Sequence, residues 1–337
     1  MTDIAALAQS ILTRDRRAMA RAITLVESVR ADHRVQALEL IETLRQSGRE
    51  ALRIGLSGTP GVGKSTFIER FGLRLTGQGL SVAVLAVDPS STRSGGSILG
   101  DKTRMEQLSR DPNAYIRPSP AQSFLGGVAR RSREAVAICE AAGFDVVLIE
   151  TVGVGQSETL VAELSDVFVL LMSPAGGDEL QGVKRGIMEI ADLILVNKAD
   201  GDLKAAASRT EADYAGALRL LRKRSSDPDG FPKAASVSAL EDHGLESAWM
   251  DMQNLAAWRK SQGIWTARRS DQAVHWFRDA VDAGLRAKLV DQPKTKALYN
   301  SLSQAVALGE SSPDLAAETL LSQVLGPQLK GLDGQSS

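Results

Sequence analysis

The sequence of 337 residues predicts an α/β fold with a doubly wound, mainly parallel sheet, preceded by N-terminal helices and followed by C-terminal helices. Short apolar runs alternate with segments of helical periodicity, and this alternation is typical of a parallel sheet with right-handed crossovers. The runs are apolar almost without interruption, as in strands that are covered on both faces. No strand pattern follows after about residue 245, so the rest of the chain is predicted to be helical.

The segment up to about residue 48 predicts two helices, because its apolar residues recur at a spacing near 3.6. Strands are predicted at 52–58, 81–88, 145–151, 166–173, 192–200 and 234–240. Helices are predicted between most of these strands, at 64–77, 127–142, 179–190 and 204–223.

The C-terminal segment carries apolar stripes at helical spacing. One stripe comprises Val274, Phe277, Val281, Leu285 and Leu289, and the next comprises Leu298, Leu302 and Val306. A last helix is predicted to begin with Ser312 as N-cap and Pro313 in the first helical position, and to end at Gly326-Pro327. We therefore expect an N-terminal helical extension over 1–48, a central domain over 49–262 and a C-terminal helical arm over 263–337.

The composition excludes several classes of protein. Forty basic and 41 acidic residues give a net charge of −1, which argues against a general nucleic-acid binder. Cys139 is the single cysteine, so an internal disulfide and a multi-cysteine zinc site are excluded and a reducing compartment fits. No apolar run approaches a membrane span, and the N-terminus lacks a signal-peptide pattern. We expect a cytoplasmic protein, with mitochondrial targeting left open by the Arg-rich N-terminus.

A complete phosphate-binding motif follows the first predicted strand and opens the first helix of the sheet region. It reads Gly58-Thr59-Pro60-Gly61-Val62-Gly63-Lys64-Ser65 and is followed by Thr66. The glycines let successive backbone N–H groups converge on phosphate oxygens, and the helix N-terminus favours negative charge. Lys64 is expected to reach the β- and γ-phosphates and the Ser65 hydroxyl to bind Mg²⁺. The motif predicts a nucleoside triphosphate site.

A second motif indicates which base is bound. Asn197-Lys198-Ala199-Asp200 follows the apolar run DLILV. The Asp200 carboxylate suits the N1–H and N2–H donors of guanine, a pair of donors that adenine lacks. Asn197 is expected to brace the loop and meet the base edge, and the Lys198 stem to cover the base plane. Ser238-Ala239-Leu240, after the last predicted strand, is a candidate for closing the pocket through backbone N–H groups.

Acidic residues near the ends of strands are the candidates for holding magnesium, which prefers oxygen ligands. Asp88 ends the second predicted strand, Glu150 ends the third, and Asp101 lies in the polar loop SGGSILGDKTR. Gly153 follows Glu150 at the spacing of the D-x-x-G motif of GTPases, with Glu replacing the usual Asp. The polar loops 89–100, 152–157 and 174–184 are either nucleotide-dependent switches or simple surface loops.

Together these segments resemble the methylmalonyl-CoA mutase-associated GTPases of the MeaB/ArgK type, a group within the SIMIBI class of P-loop GTPases. The resemblance covers nearly the whole chain and is carried by SGTPGVGKST, VLAVDPSS, GDKTRM, RPSP, DVVLIETVGVGQSE, PAGGDELQGVKRGIMEIAD and NKAD. It implies GTP/GDP and Mg²⁺ as ligands. Lys64 and Ser65 would hold phosphate and metal, and Asn197 and Asp200 would read guanine. Asp88, Asp101 and Glu150 would form the metal and switch set.

The resemblance also implies partners. It implies a homodimer formed through the C-terminal arm and a chaperone for an adenosylcobalamin-dependent acyl-CoA mutase, gating cofactor delivery and protecting or reactivating the mutase. The loop 176–184 would be an additional switch, with Lys184 coupling nucleotide state to the partner. Gln156, Arg104 and Lys184 are the candidates for completing the hydrolytic site. No nucleic-acid or membrane partner is expected.

Three other functions are alternatives to this one. They are a kinase acting on a transport protein or small molecule, a nickel or cobalt metallochaperone, and a dimeric scaffold with an inactive nucleotide site. NKAD argues against an ATP-dependent kinase, and the scattered His33, His243 and His275 with one cysteine argue against a metallochaperone. The intact Lys64, Ser65 and Asp200 argue against the scaffold.

Overall fold

A computed structural model describes residues 3–87, 105–117, 128–151, 157–174, 185–221, 224–291 and 293–325. Within these ranges the chain forms one parallel sheet in the order β3-β2-β4-β1-β5-β6-β7. The strands are β1 (Leu52–Gly58), β2 (Val82–Val87), β3 (Ala114–Arg117), β4 (Val146–Thr151), β5 (Val167–Met172), β6 (Leu193–Val196) and β7 (Lys233–Ser236). The predicted doubly wound α/β fold is confirmed, and β1 lies at its centre.

Helices cover both faces of the sheet. The helices up to β7 are α1 (Ile4–Leu12), α2 (Arg16–Glu27), α3 (Ala31–Arg45), α4 (Lys64–Gly77), α5 (Glu106–Arg110), α6 (Val128–Ala141), α7 (Ser157–Leu164), α8 (Arg185–Ile190) and α9 (Lys204–Leu220). After β7 follow α10 (Leu245–Ser261), α11 (Ile264–Asp291), α12 (Pro293–Ala307) and α13 (Pro313–Leu325). A buried apolar core packs α4, α5 and α10 onto one face of the sheet. The helices α6, α7 and α9 pack against the opposite face, and α2 and α3 pack against α6.

The N-terminal segment forms three helices, so the prediction of two was wrong. Asp3 and Asp15 start α1 and α2, because their carboxylates accept hydrogen bonds from Ala6 N (3.0 Å) and Ala18 N (2.6 Å). Arg14 has a φ of 63°, which interrupts the helical backbone between them. Apolar spacing alone does not reveal breaks this short.

The strand β3 was missed, and two predicted strands end earlier than expected. β3 is an edge strand of four residues, too short to leave a recognisable apolar run. The run predicted at 192–200 ends as a strand at Val196, and the run predicted at 234–240 ends at Ser236. The residues beyond both ends form the loops of the candidate site described below.

The described chain divides into two compact units, one ending at Gln272 and the other beginning at Ala273. The last helix begins at Pro313 as predicted, and the Ser312 hydroxyl accepts a hydrogen bond from Leu315 N at 3.3 Å. Its predicted end at Gly326-Pro327 lies outside the described residues. In the described ranges, none of the helices combines the length and apolarity needed to cross a bilayer.

Candidate functional site

The phosphate-binding motif lies at the carboxyl end of β1, between β4 and β5. The strand order reverses at β1, because the chain adds strands on both sides of it. Open α/β sheets bind ligands at such a reversal point. Close packing requires glycine at Gly58, because a Cβ there would lie 2.5 Å from the Leu171 carbonyl oxygen. Gly63 caps α4 with a φ of 89°, and a Cβ there would lie 2.8 Å from Asn197 Nδ2.

The side chains of the motif are arranged around this turn. Lys64 Nζ donates to the Gly58 carbonyl at 3.1 Å and to Thr151 Oγ1 at 3.4 Å, so the amine lies above the loop and beside the end of β4. The buried Val62 anchors the loop to the core, and its N–H donates to the Thr59 carbonyl at 3.3 Å. Pro60 and Thr66 are exposed, and Ser65 is half-buried in the first turn of α4.

Asn197 joins the two predicted motifs. Its side chain is buried and donates through Nδ2 to the Val62 carbonyl at 3.0 Å. Its Oδ1 accepts from Ala239 N at 3.2 Å. One amide therefore links the phosphate loop to the loop after β7.

Lys198 and Asp200 flank this brace. Lys198 has a φ of 61°, uncommon for a residue with a side chain, and its Nζ donates to the Gly61 carbonyl at 2.6 Å. Asp200 accepts a hydrogen bond from the buried Ser238 hydroxyl, and that hydroxyl also accepts from Glu241 N at 3.0 Å. Ala239 is buried, whereas Leu240 is 68% exposed. Both predicted nucleotide-binding loops thus meet at the phosphate loop.

Of the predicted metal-binding residues, Ser65 and Glu150 are described. Glu150 is buried next to the end of β4, opposite Leu56 of β1 and Ala86 of β2. Successive side chains of a strand point to opposite faces of the sheet, so Glu150 lies on the same face as Leu148. Leu148 belongs to the core beneath α4. Asp88, Asp101 and Lys184 lie outside the described residues, as do Gly153, Gln156, Arg104 and the loop 176–184. Among described residues, no three His, Cys, Asp or Glu side chains form a metal-binding group.

Ser57 and Thr151 also belong to the site, although no sequence pattern indicates them. Their buried hydroxyl oxygens lie 3.3 Å apart, and Thr151 Oγ1 accepts from Lys64. Hydroxyl residues at two strand ends carry little signal in a sequence. The parallel register of β1 and β4 is what brings them together.

Comparisons with known proteins agree with this geometry. A family model described as methylmalonyl Co-A mutase-associated GTPase MeaB matches residues 19–294. A putative GTPase of Caulobacter vibrioides is 51% identical over 95% of this chain and 97% of its own length. The mitochondrial methylmalonic aciduria type A homolog of Mus musculus is 48% identical over 91% of this chain and 76% of its own length.

A solved structure has the same fold over nearly the whole chain. The crystal structure of an LAO/AO transport system kinase superposes with a TM-score of 0.74 at 34% identity, covering 97% of this chain and 99% of that one. The family match, the relatives named as GTPases and the nucleotide-site geometry agree. The chain is a P-loop GTPase and belongs to the MeaB family of methylmalonyl-CoA mutase-associated GTPases.

Proposed function

We propose that this GTPase is a chaperone for an adenosylcobalamin-dependent acyl-CoA mutase, such as methylmalonyl-CoA mutase. GTP hydrolysis would gate delivery of the mutase cofactor and would protect or reactivate the mutase. The observation that carries the nucleotide part of the proposal is the junction at Asn197, which ties the phosphate loop to the loops around Asp200 and Ala239. Membership of a family named for its association with methylmalonyl-CoA mutase supports the choice of client.

The proposed roles in GTP binding follow the geometry of the site. The N–H groups of the phosphate loop and the N-terminus of α4 bind phosphate oxygens. Lys64, held beside Thr151 at the end of β4, neutralises charge on the β- and γ-phosphates. Asp200 accepts hydrogen bonds from guanine, while the Ser238 hydroxyl holds its carboxylate in place.

Magnesium fits the donor groups of this site, because hydroxyl and carboxylate oxygens are the ligands it prefers. Ser65, Asp88, Asp101 and Glu150 would hold it. Glu150 supports this assignment by lying at the carboxyl edge of β4, on the side of the sheet where α4 presents Ser65. When bound, the ion would neutralise charge that develops on the phosphate oxygens.

The partner is proposed to act on the loop 176–184, with Lys184 as the coupling residue. Hydrolysis by the protein alone is then slow. The mutase accelerates it by binding the loop arrangement that supports hydrolysis more tightly than the arrangement that does not. We propose further that the protein works as a homodimer in the cytoplasm.

The test is GTP hydrolysis by the purified protein, alone and with adenosylcobalamin-dependent acyl-CoA mutases titrated in. We expect a rise of at least tenfold with one cognate mutase. Lys64→Ala, which removes the phosphate-binding amine, controls for contaminating hydrolysis. Equal turnover with and without every mutase would contradict the chaperone function and leave only a GTPase.

A kinase is the second candidate, because the solved relative is named as a transport system kinase. Phosphoryl transfer to water and phosphoryl transfer to a protein or small-molecule acceptor both need a nucleotide site of this kind. Incubation with γ-labelled GTP and candidate transport proteins distinguishes the two. Label recovered in a protein or small molecule, rather than in free phosphate, would favour the kinase.

A further inference from the structure

The first turns of α6 carry an unusual concentration of positive charge. Arg130, Arg131 and Arg133 lie there, and Arg34 of α3 contacts Glu134 from the facing helix. Arg130 interacts electrostatically with the other three arginines, which carry the same charge, and with Glu134. We name these five residues the α6 arginine cluster. Only one carboxylate, that of Glu134, belongs to it.

The charge in this cluster is incompletely satisfied. Arg131 is 7% exposed, and its Nε has no hydrogen-bond partner in the described part of the chain. The Nε of Arg130 and the Oε2 of Glu134 are likewise buried without a partner there. Buried polar atoms are normally paired, and leaving a charged one unpaired is costly. A ligand that accepts hydrogen bonds would remove this cost at the two guanidinium nitrogens, whereas Glu134 Oε2 needs a donor.

The electrostatics also favour an anion. Burial lowers the pKa of Arg130, and the nearby Arg34 guanidinium lowers it further. The first turn of α6 contains no acidic residue to balance the positive end of the helix dipole. Arg34, Arg130 and Arg133 are only half-buried, so a small anion reaches the cluster from solvent.

We propose that the α6 arginine cluster is a binding site for a phosphate group, separate from the GTP site. Planar guanidinium groups match the oxygens of phosphate in geometry, and an excess of more than one positive charge suits a dianion better than a carboxylate. The cluster packs on the face of the sheet opposite α4, so it does not share the phosphate loop. Free phosphate and the phosphate group of an organic molecule both have this chemistry.

The test measures thermal unfolding of protein saturated with Mg²⁺ and guanosine 5′-(β,γ-imido)triphosphate, so that the GTP site is filled. Phosphate, glycerol phosphate and acetate are compared with chloride at equal ionic strength. We expect phosphate to raise the Tm by about 2–4 °C, as occupancy at several times Kd does in a domain of this size. Acetate should leave it unchanged. A response to phosphate but not to glycerol phosphate assigns the site to free phosphate, and a clearly larger response to glycerol phosphate assigns it to an organic phosphate.

Variants locate the effect. Arg131→Met and, separately, the less buried Arg130→Met should weaken phosphate binding at least tenfold. Arg110→Met is the matched control, because Arg110 is 77% exposed and pairs with Glu106 on α5. The proposal is overturned if phosphate does not raise the Tm, if acetate acts equally, or if both α6 variants respond like the wild type.

Discussion

At the level of single residues, Asp200 is the residue proposed to select the base. Its carboxylate is half-buried and is held by the Ser238 hydroxyl. The neighbouring Lys198 is held in a left-handed conformation, which costs energy and is found where a site constrains the backbone. The loop therefore presents Asp200 in one orientation before the nucleotide arrives, and little ordering entropy remains to be lost on binding.

We predict that Asp200→Asn weakens GTP binding by roughly 100-fold, because an amide replaces one of the two acceptors facing guanine with a donor. The same variant should gain affinity for XTP, whose base presents an acceptor at the 2-position. Fluorescent nucleotide titration measures both affinities.

The exposed Asp202, two residues further along, provides the control. Asp202→Asn changes the same charge and should leave both affinities within about twofold of the wild type. Unchanged GTP affinity in the Asp200 variant would show that another residue reads the base.

At the level of secondary-structure elements, a buried ion network joins the amino ends of the strands to α10. Arg259 is 1% exposed and donates to Asp192 at 2.6 Å and to Asp227 at 2.7 Å. Arg224 also contacts Asp192, at 2.9 Å, and Asp192 accepts from Phe168 N of β5 at 2.8 Å. The network lies at the edge of the sheet opposite the nucleotide loops, so its role is to hold α10 and the start of β6 in place.

We predict that Asp192→Asn lowers the free energy of unfolding at pH 7 by about 3 kcal/mol, because it leaves Arg259 buried with too little negative charge. Asp251→Asn breaks the more exposed pair with Lys233 and should cost less than about 1 kcal/mol. Urea unfolding followed by circular dichroism measures both. Equal losses in the two variants would contradict the special role of the buried network.

The network also predicts how stability depends on pH. Burial alone would raise the pKa of Asp192, but the Arg259 and Arg224 guanidiniums outweigh it and hold that pKa below its ordinary value. The contribution of Asp192 is therefore complete above about pH 4 and is lost as the pH falls through the lowered value. The difference in free energy of unfolding between the wild type and Asp192→Asn should therefore become smaller below about pH 4. A difference that stays constant down to pH 3 would contradict this assignment.

At the level of the whole molecule, the C-terminal unit leaves an apolar stripe uncovered. Val274, Phe277, Val281 and Leu285 follow one another at helical spacing on α11 and are 47%, 68%, 41% and 52% exposed. Isolated exposed apolar residues are common, but a continuous stripe of this length marks an interaction surface. It supports the proposed homodimer through the C-terminal arm.

We predict that Phe277→Asp combined with Val281→Asp converts the proposed dimer to a monomer, because two carboxylates would be buried in its interface. Sedimentation at several protein concentrations measures the mass. Val29→Asp with Val35→Asp, at exposed positions in the α2–α3 linker and on α3, is the control and should leave the oligomeric state unchanged. A dimer that survives the α11 substitutions would place the interface elsewhere.

The sequence by itself determined the doubly wound fold, the position of the phosphate loop and the segment proposed to read the base, because each depends on local patterns. Apolar runs define buried strands, and the Gly58–Ser65 and Asn197–Asp200 segments carry their chemistry in consecutive residues. The predicted bounds of β1 and α4 agree with the structure for this reason. The short β3 and the break at Arg14 have no comparable local signal.

Only the tertiary structure decided which distant residues meet. It brought Asn197 between Val62 and Ala239, Thr151 beside Lys64, and Arg34 beside Glu134. It also placed Arg259 between Asp192 and Asp227. These contacts depend on strand order and helix packing, and a single charged or polar residue in the sequence carries no information about the partner that will compensate its burial.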